Sequence, residues 1–545
     1  MPPHATNSRE STSMRDPADL MQPERLGALK HTRLSFARLL IRRMLRDDWR
    51  VEAEQMNLDA DGVGRGVYAI QTPSRRFSFG VFSHRADSDE NTDRIIATDW
   101  DLWAFLCEGP ATAELMNAQL EELPYVMEGR ATPDILVWTR ANRSGRFFGH
   151  LVESLAAGHQ PDIEYLSTGG YLMRSSGYYG NGLNGTKVFD ALSGTHPLKE
   201  PYFPQMLSAW MLRVFGYDLA EEMAAARSEA AVTLDADIKR YLGTGNSSGL
   251  GIIFYLVNHP QQLNAWLRVR ELALARAKTT EVTSEALSKF DRRIQEAIQW
   301  FDTDESNTNR HFSSKKQIAA ELRQARQCLS DISGVDSFEW QQFTKHSESN
   351  YEIETQEVIH SLLIDMHPTA CEGLENTLTV AEKRDIQPAM TVSQLHSVIK
   401  DSYKWAFNFD FDDPHAQHYF WYRSIENEEP RVGLAAETEY DDYGLPIDIA
   451  RQIHSLDAHL STAESSQSVA AFVSEHPSLR DIVARVQTVH MLPYAEIYAN
   501  PLDADFVPLH FISCLKAIWG IQRAHPKSIG WVKGHFFRGL HWRMN

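Results

Sequence analysis

The sequence predicts an α+β fold: an N-terminal, mostly antiparallel sheet with helices, followed by a large, predominantly α-helical body. Two observations carry this expectation. From Trp49 to about Thr139 the chain is a series of β-branched and aromatic runs divided by Gly, Asp, Asn and Ser turns. After residue 143 apolar residues recur at helical spacing, and they do so as far as about residue 525. Strands grouped first and helices grouped after is the α+β order, not the alternation that builds a parallel βαβ sheet.

Residues 1–22 are polar and proline-bearing, and their composition predicts a disordered tail. The next stretch, "PERLGALKHTRLSFARLLIRRMLRDD" (23–48), opens with proline at a first helical position. Leu26, Leu29, Phe36, Leu40 and Met44 recur at three, four or seven residues, so the spacing predicts one amphipathic helix. "WRVEAEQMN", "GVYAIQT", "RRFSFGVFSHR", "DRIIATDWDLWAF" and "PDILVWTRA" then read as four or five strands, with a helix at 112–123 between them. Long helices follow in "PQMLSAWMLRVFGYDLAEEMAAARSEAA", "LNAWLRVRELALARAKT", "SEALSKFDRRIQEAIQWF", "KKQIAAELRQARQCLSDI", "TQEVIHSLLIDM", "VSQLHSVIKDSYKWAF" and "IDIARQIHSLDAHL". The expected organisation is a tail (1–22), a helix-plus-sheet subdomain (23–142), a helical body with Gly-rich loops (143–407) and a C-terminal helical region (408–545).

At 545 residues the chain is long enough for several cores. Its 54 Lys+Arg against 73 Asp+Glu give a formal charge of −19. A field of that sign repels nucleic acid and anionic lipid, so neither is an expected partner. The apolar run "GLGIIFYLV" (249–257) is half the length of a membrane span. Cys107, Cys328, Cys371 and Cys514 are far apart in the chain and form no C-x-x-C pair. These features predict a cytoplasmic protein, and the length is compatible with a homo-oligomer.

Three stretches carry residues suited to chemistry. "STGGYLMRSSGYYGNGLNGTK" (167–187) sets Arg174 among Tyr171, Tyr178 and Tyr179, with Gly169, Gly170, Gly177, Gly180, Gly182 and Gly185 around them. A guanidinium there can grip a carboxylate or phosphate through paired hydrogen bonds, while a tyrosine hydroxyl donates a proton and Asn181 adds a neutral contact. The bland alternative is a structural crossover whose tyrosines pack. "YLGTGNSSGLGIIFYLVNHP" (241–260) places Asn246 and Ser247 where a helix would begin, a position that attracts anions or simply caps the helix. Its glycines miss the Rossmann spacing by one place, and no Walker lysine is present.

The third, "HAQHYFWYRSIENEEPRVG" (415–433), gathers His415, His418, Arg423, Glu426, Glu428 and Arg431 with four aromatics. Crowded carboxylates raise one another's proton affinity, which poises an acid or base near neutrality. If helical, the stretch would place His415, His418 and Tyr422 on one face. His415 and His418 with a glutamate are also the metal reading, which lacks the H-E-x-x-H signature and is set below a metal-free site. His360 and His367, seven apart on an apolar helix, read as core histidines.

The function expected from these stretches is a soluble enzyme acting on a small polar, anionic metabolite by general acid–base chemistry. Arg174, Arg431 and Arg423 would bind the anion with Asn181, Asn246 and Ser247. Glu426 or Glu428 would accept the proton, and Tyr178 or Tyr179 would donate it. Two alternatives stand beside it: an oxidoreductase holding an organic or metal cofactor, and a non-catalytic ligand sensor or scaffold. The sequence names no cofactor.

Overall fold

A computed structural model describes residues 14–21, 23–85, 100–126, 132, 134–175, 192, 195–199, 202–246, 260–302, 314–332, 339–374, 386–413, 418–421, 431–434, 446–489, 517–520, 522–523 and 534–537. The protein is α+β. Its strands are β1 (Arg50–Leu58), β2 (Gly64–Gln71), β3 (Arg76–Ser83), β4 (Leu102–Glu108), β5 (Ile135–Arg143), β6 (Tyr171–Ser175), β7 (Gly243–Asn246), β8 (His418–Trp421), β9 (Arg431–Leu434), β10 (Gln522–Arg523) and β11 (Gly534–Phe536). The chain divides into two compact units. One is Met1–Leu34 with Leu250–Trp421 and Pro430–Ile518; the other is Ser35–Gly249 with Tyr422–Glu429 and Trp519–Asn545.

The N-terminal expectations need two corrections. Residues 17–20 of the expected tail form a short helix, α1 (Pro17–Leu20), with Leu20 and Met21 fully buried. The single helix expected over 23–48 is two, α2 (Pro23–Ala28) and α3 (Phe36–Arg46). Between them local polar groups take the amides a continuous helix would use. Arg33 N donates to Asp365 Oδ1 at 2.8 Å, and Leu34 N donates to Thr32 Oγ1 at 3.2 Å. Such side-chain acceptors compete with helix carbonyls for backbone donors.

The unit beginning at Ser35 is built on a sheet of order β1-β2-β3-β4-β5-β6-β7-β11-β10, nine strands among the described residues. Strands β1 to β5 stand where four or five were expected, each antiparallel to the next; of the fourth expected stretch, 93–105, residues 93–99 lie outside the described residues and β4 begins at Leu102. The sheet then continues into segments that read as loop or helix. β6 pairs antiparallel with β5, β7 runs parallel to β6, and β11 pairs antiparallel with β7. The expected boundary at 142–143 therefore falls inside the sheet. Helix α4 (Ala113–Val126) covers one face with Val67, Phe82, Phe105, Met116 and Trp138. The approach is close: a Cβ on Gly80 would sit 2.5 Å from the Phe105 ring and 2.9 Å from Met116 Sδ.

Helix α5 (Phe203–Arg227) covers the other face and is buried nearly all round. Tyr68 of β2 donates to its Asp218 at 2.6 Å, and Thr244 of β7 donates to its Ala209 carbonyl at 2.8 Å. The same helix fixes the entry to β7. A short helix, α6 (Ala236–Tyr241), ends beside it with carbonyls that have no intrahelical donor. Arg213 of α5 donates to the carbonyls of Leu242 at 2.5 Å, Lys239 at 2.7 Å and Arg240 at 2.9 Å. The Tyr217 hydroxyl lies 2.7 Å from the Lys239 carbonyl and 2.9 Å from that of Leu242. Burial pulls the Arg213 pKa down and pushes that of Tyr217 up to about 12.

In the other unit the expected long helices are present, among them α7 (Pro260–Lys278), α8 (Trp340–Asn350) and α9 (Ile353–Met366), with further helices at Ser284–Asp302, Lys315–Ile332, Val392–Ser402 and Pro446–Thr462. The stretch His418–Trp421, considered above as helix, is strand β8 and pairs antiparallel with β9. Its Tyr-Phe-Trp run favours a pleated conformation over a helical one.

Replacing Arg213 with Ala should lower unfolding free energy by on the order of 3–5 kcal/mol, because three buried carbonyls lose a charged donor. Tyr217→Phe should cost about 1–2 kcal/mol. Urea midpoints at constant m-value measure both.

Candidate functional site

Of the residues nominated from sequence, the structure fixes the side chain of one and the backbone of three. Arg174 lies in β6 and is only 5% exposed. Asn246 closes β7, His418 opens β8 and Arg431 opens β9. Ser247, Tyr178, Tyr179, Asn181, His415, Arg423, Glu426 and Glu428 lie outside the described residues. The segments carrying Arg174 and Asn246 come together: Arg174 pairs with Gly245, next to Asn246, across the parallel β6–β7 ladder. Because these strands are parallel, their last residues, Ser175 and Asn246, lie at the same end of the ladder. His418 and Arg431 lie on the separate β8–β9 ladder, at its opposite ends.

Register extends the Arg174 position into a row. Asn142 of β5 opposes Arg174, Arg174 opposes Gly245, and Gly245 opposes His535 of β11. Opposed residues share a sheet face, so Asn142, Arg174, Gly245 and His535 project together. Thr244 alternates with Gly245 and turns toward α5, which places the row on the face away from α5. The register shift between Tyr171 and Arg174 also brings the Tyr171 ring onto this face. That ring occupies the space a side chain at position 245 would need: a Cβ there would lie 2.7 Å from it. Strand spacing sets the Arg174 and His535 backbones about 10 Å apart, with the ring between them.

The row is dry. Asn142 is 1% exposed, and Tyr171 and His535 are fully buried. Asn142 is held by the strand beside it, its Oδ1 accepting from Asp101 N at 2.8 Å, while Asp101 Oδ2 accepts from Arg143 N at 2.7 Å. Burial pushes the His535 pKa down to about 4, so its imidazole is neutral at neutral pH. The site thus combines a guanidinium, a neutral imidazole, a carboxamide and a phenol ring. A guanidinium is a group that pairs with anions, and an imidazole is one that carries protons.

Asn142 and His535 were not nominated from sequence. Asn142 sits inside the strand-like run "PDILVWTRA" extended by two residues, and a polar residue in an otherwise apolar buried strand is the signal that marks it. His535 lies in "GHFF", where nothing local predicts pairing with a glycine almost three hundred residues earlier.

The second buried polar constellation lies in the other unit. Glu271 of α7 and Glu357 of α9 are 1% and 0% exposed. Arg270 donates to Glu357 Oε2 at 2.7 Å and to Glu271 Oε1 at 3.2 Å. Arg25 of α2 donates to Glu357 Oε1 at 2.9 Å. Arg15, ahead of α1, donates to both Glu271 oxygens at 3.0 and 2.7 Å and to Glu357 Oε1 at 2.6 Å. Although burial opposes ionisation, Arg15 and Arg270 hold both carboxyls below their usual range, Glu357 far below. His360 is a core histidine as expected, fully buried and pushed down to about 4 by that burial.

Among the described residues, no group of three His, Cys, Asp or Glu side chains is arranged to hold a metal ion, and no helix is long and apolar enough to cross a membrane. No family model matches the chain, and neither a curated protein nor a solved structure matches it.

Of the three histidines that burial depresses, His360, His367 and His535, the first and last are pushed furthest and set a pH dependence. Each of these two binds a proton in the unfolded chain below the ordinary imidazole value of 6.5 but in the folded protein only near pH 4. Stability should therefore fall as pH drops from 6.5, by up to about 1.4 kcal/mol per pH unit per histidine. Down to about pH 4.5 the depressed glutamates keep their full contribution, so the histidines govern this window. Denaturation at pH 6.5, 5.5 and 4.5 should show that slope, and His535→Gln should remove its share, leaving that of His360.

Proposed function

We propose that the unit containing Ser35–Gly249 is the ligand-binding part of an enzyme for a small anionic metabolite, and that Arg174 anchors the anion. The observation that supports this most is the convergence at β6–β7. The parallel strands β6 and β7 end side by side, beside a buried guanidinium, and in the sequence each is followed by a glycine-rich stretch. The carboxyl ends of parallel strands are where open sheets bind ligands, because chain leaving adjacent strands there can separate and leave a crevice. Glycine-rich chain allows backbone amides to approach a phosphate or carboxylate closely.

The chemistry is general acid–base. His535 supplies a neutral imidazole in the Arg174 row, able to accept a proton from a bound substrate or to donate its N–H. Glu426 or Glu428 as proton acceptor, and Tyr178 or Tyr179 as donor, belong to the same reading, with Asn181, Asn246 and Ser247 lining the pocket. Arg423 would add a further anion contact. A fixed cation in a dry site favours a transition state in which negative charge grows on the substrate.

A thermal-shift screen of small carboxylates and phosphate esters tests this. A true ligand should lose about 10- to 100-fold in affinity in Arg174→Gln, the worth of one charge-assisted contact, and less in Arg174→Lys. Circular dichroism of each variant without ligand controls for folding. Unchanged affinity for every hit in a folded Arg174→Gln protein would refute the assignment.

A further inference from the structure

The buried charge cluster between α7 and α9 is unbalanced in an informative way. Two carboxylates, Glu271 and Glu357, face three guanidinium groups, those of Arg15, Arg25 and Arg270. Arg25 and Arg270 alone neutralise the pair. Arg15 is the additional cation, and it has the best geometry of the three: both Glu271 oxygens accept from its Nε and Nη2 in a fork, and its Nη1 turns to Glu357. Planar, two-pronged pairing of this kind distinguishes a guanidinium from an ammonium ion. Arg15 is also the most lightly anchored by chain, since the helix that follows it has four residues.

A second group points into the same place. His360 is fully buried and directs Nδ1 at Glu357 Oε2 from 4.0 Å. Its Nε2 lies 3.2 Å from Glu348 Oε1, off the line of a hydrogen bond, and neither ring nitrogen has a bonded partner among the described residues. Lys278 holds that Glu348 carboxylate at 3.0 Å instead. A buried polar ring left without a hydrogen bond costs stability unless something else in the cluster's repertoire uses it.

We infer that Glu271 and Glu357 form a guanidinium-binding pocket that Arg15 fills from within the chain, and that an external guanidino group competes with Arg15 for it. The external group is either a free small guanidino compound or an arginine side chain of another polypeptide; the recognition chemistry is the same. Exchange replaces one guanidinium with another while Arg25 and Arg270 stay paired to the carboxylates, so it leaves neither buried carboxylate uncompensated.

The test uses the full chain with Arg15→Ala and titrates methylguanidinium against methylammonium at equal ionic strength. Methylguanidinium should raise the melting temperature of Arg15→Ala and bind at one site by calorimetry, and methylammonium should not. Adding Glu271→Gln should abolish the response. Equal effects of the two cations would overturn the inference. If Arg15→Ala does not fold, Arg15→Lys keeps the charge without the fork, and the same selectivity for methylguanidinium is expected. In the wild-type protein, saturating methylguanidinium should speed amide exchange at residues 15–21; unchanged exchange would overturn the competition. An acetylated, amidated arginine that works as well as methylguanidinium identifies a polypeptide arginine as an acceptable source. If it does not, the pocket admits only the free small compound.

Discussion

The sheet of the Ser35–Gly249 unit depends on how Arg213 is satisfied. A guanidinium buried without a carboxylate needs oxygen acceptors, and the carbonyls at the end of helix α6 need donors. Each solves the other's problem, and the Tyr217 hydroxyl adds its contacts to the Lys239 and Leu242 carbonyls. The partial negative charge where helix carbonyls emerge favours the cation that caps them. The result is positional. Leu242 is fixed against α5, Gly243 N then donates to Gly170 O at 2.8 Å, and β7 is committed to run beside β6. Because β7 is the strand between β6 and β11, the same contact decides whether the sheet reaches the C-terminal strands.

The two units handle buried charge by different physical routes. Arg213 keeps its charge against neutral dipoles, and burial lowers its pKa. Arg270, equally buried, faces two formal anions. Dipoles of a fixed backbone cannot leave, whereas carboxylates paired with several arginines can change partners. The first arrangement suits a framework and the second suits an exchangeable contact. Desolvation is large in both, so removing any one partner costs more than forming the pair contributes net.

How much of this was legible follows from the range over which each signal acts. β1 to β5 were readable because each is long enough for side-chain alternation and is closed by turn residues. The long helices were readable because an apolar stripe repeats inside a single element. β6, β7, β10 and β11 have five, four, two and three residues, too few for a period to register. Glycine in β7 also removes the propensity signal, although it is there because the Tyr171 ring needs the space. Arg174 was found because arginine among glycines and tyrosines is unusual locally. Its partners in the row were missed because register is a relation between distant segments. Arg15 was missed for the opposite reason: a polar, proline-bearing terminus has a disordered composition, and only two glutamates far along the chain make it ordered.

Burial of His535 has a consequence for the proposed chemistry. An imidazolium there would lose its hydration, and burial therefore holds the ring neutral. On the proposed reading, an anion held by Arg174 in the same row adds negative charge near the ring. Its field lowers the cost of protonating His535, so anion binding and proton uptake favour one another, each by the same free energy. A group that is a poor base in the empty site becomes a better one when the substrate is seated. Proton transfer would then be confined to the bound state, with no titrating residue needed to stand ready beforehand.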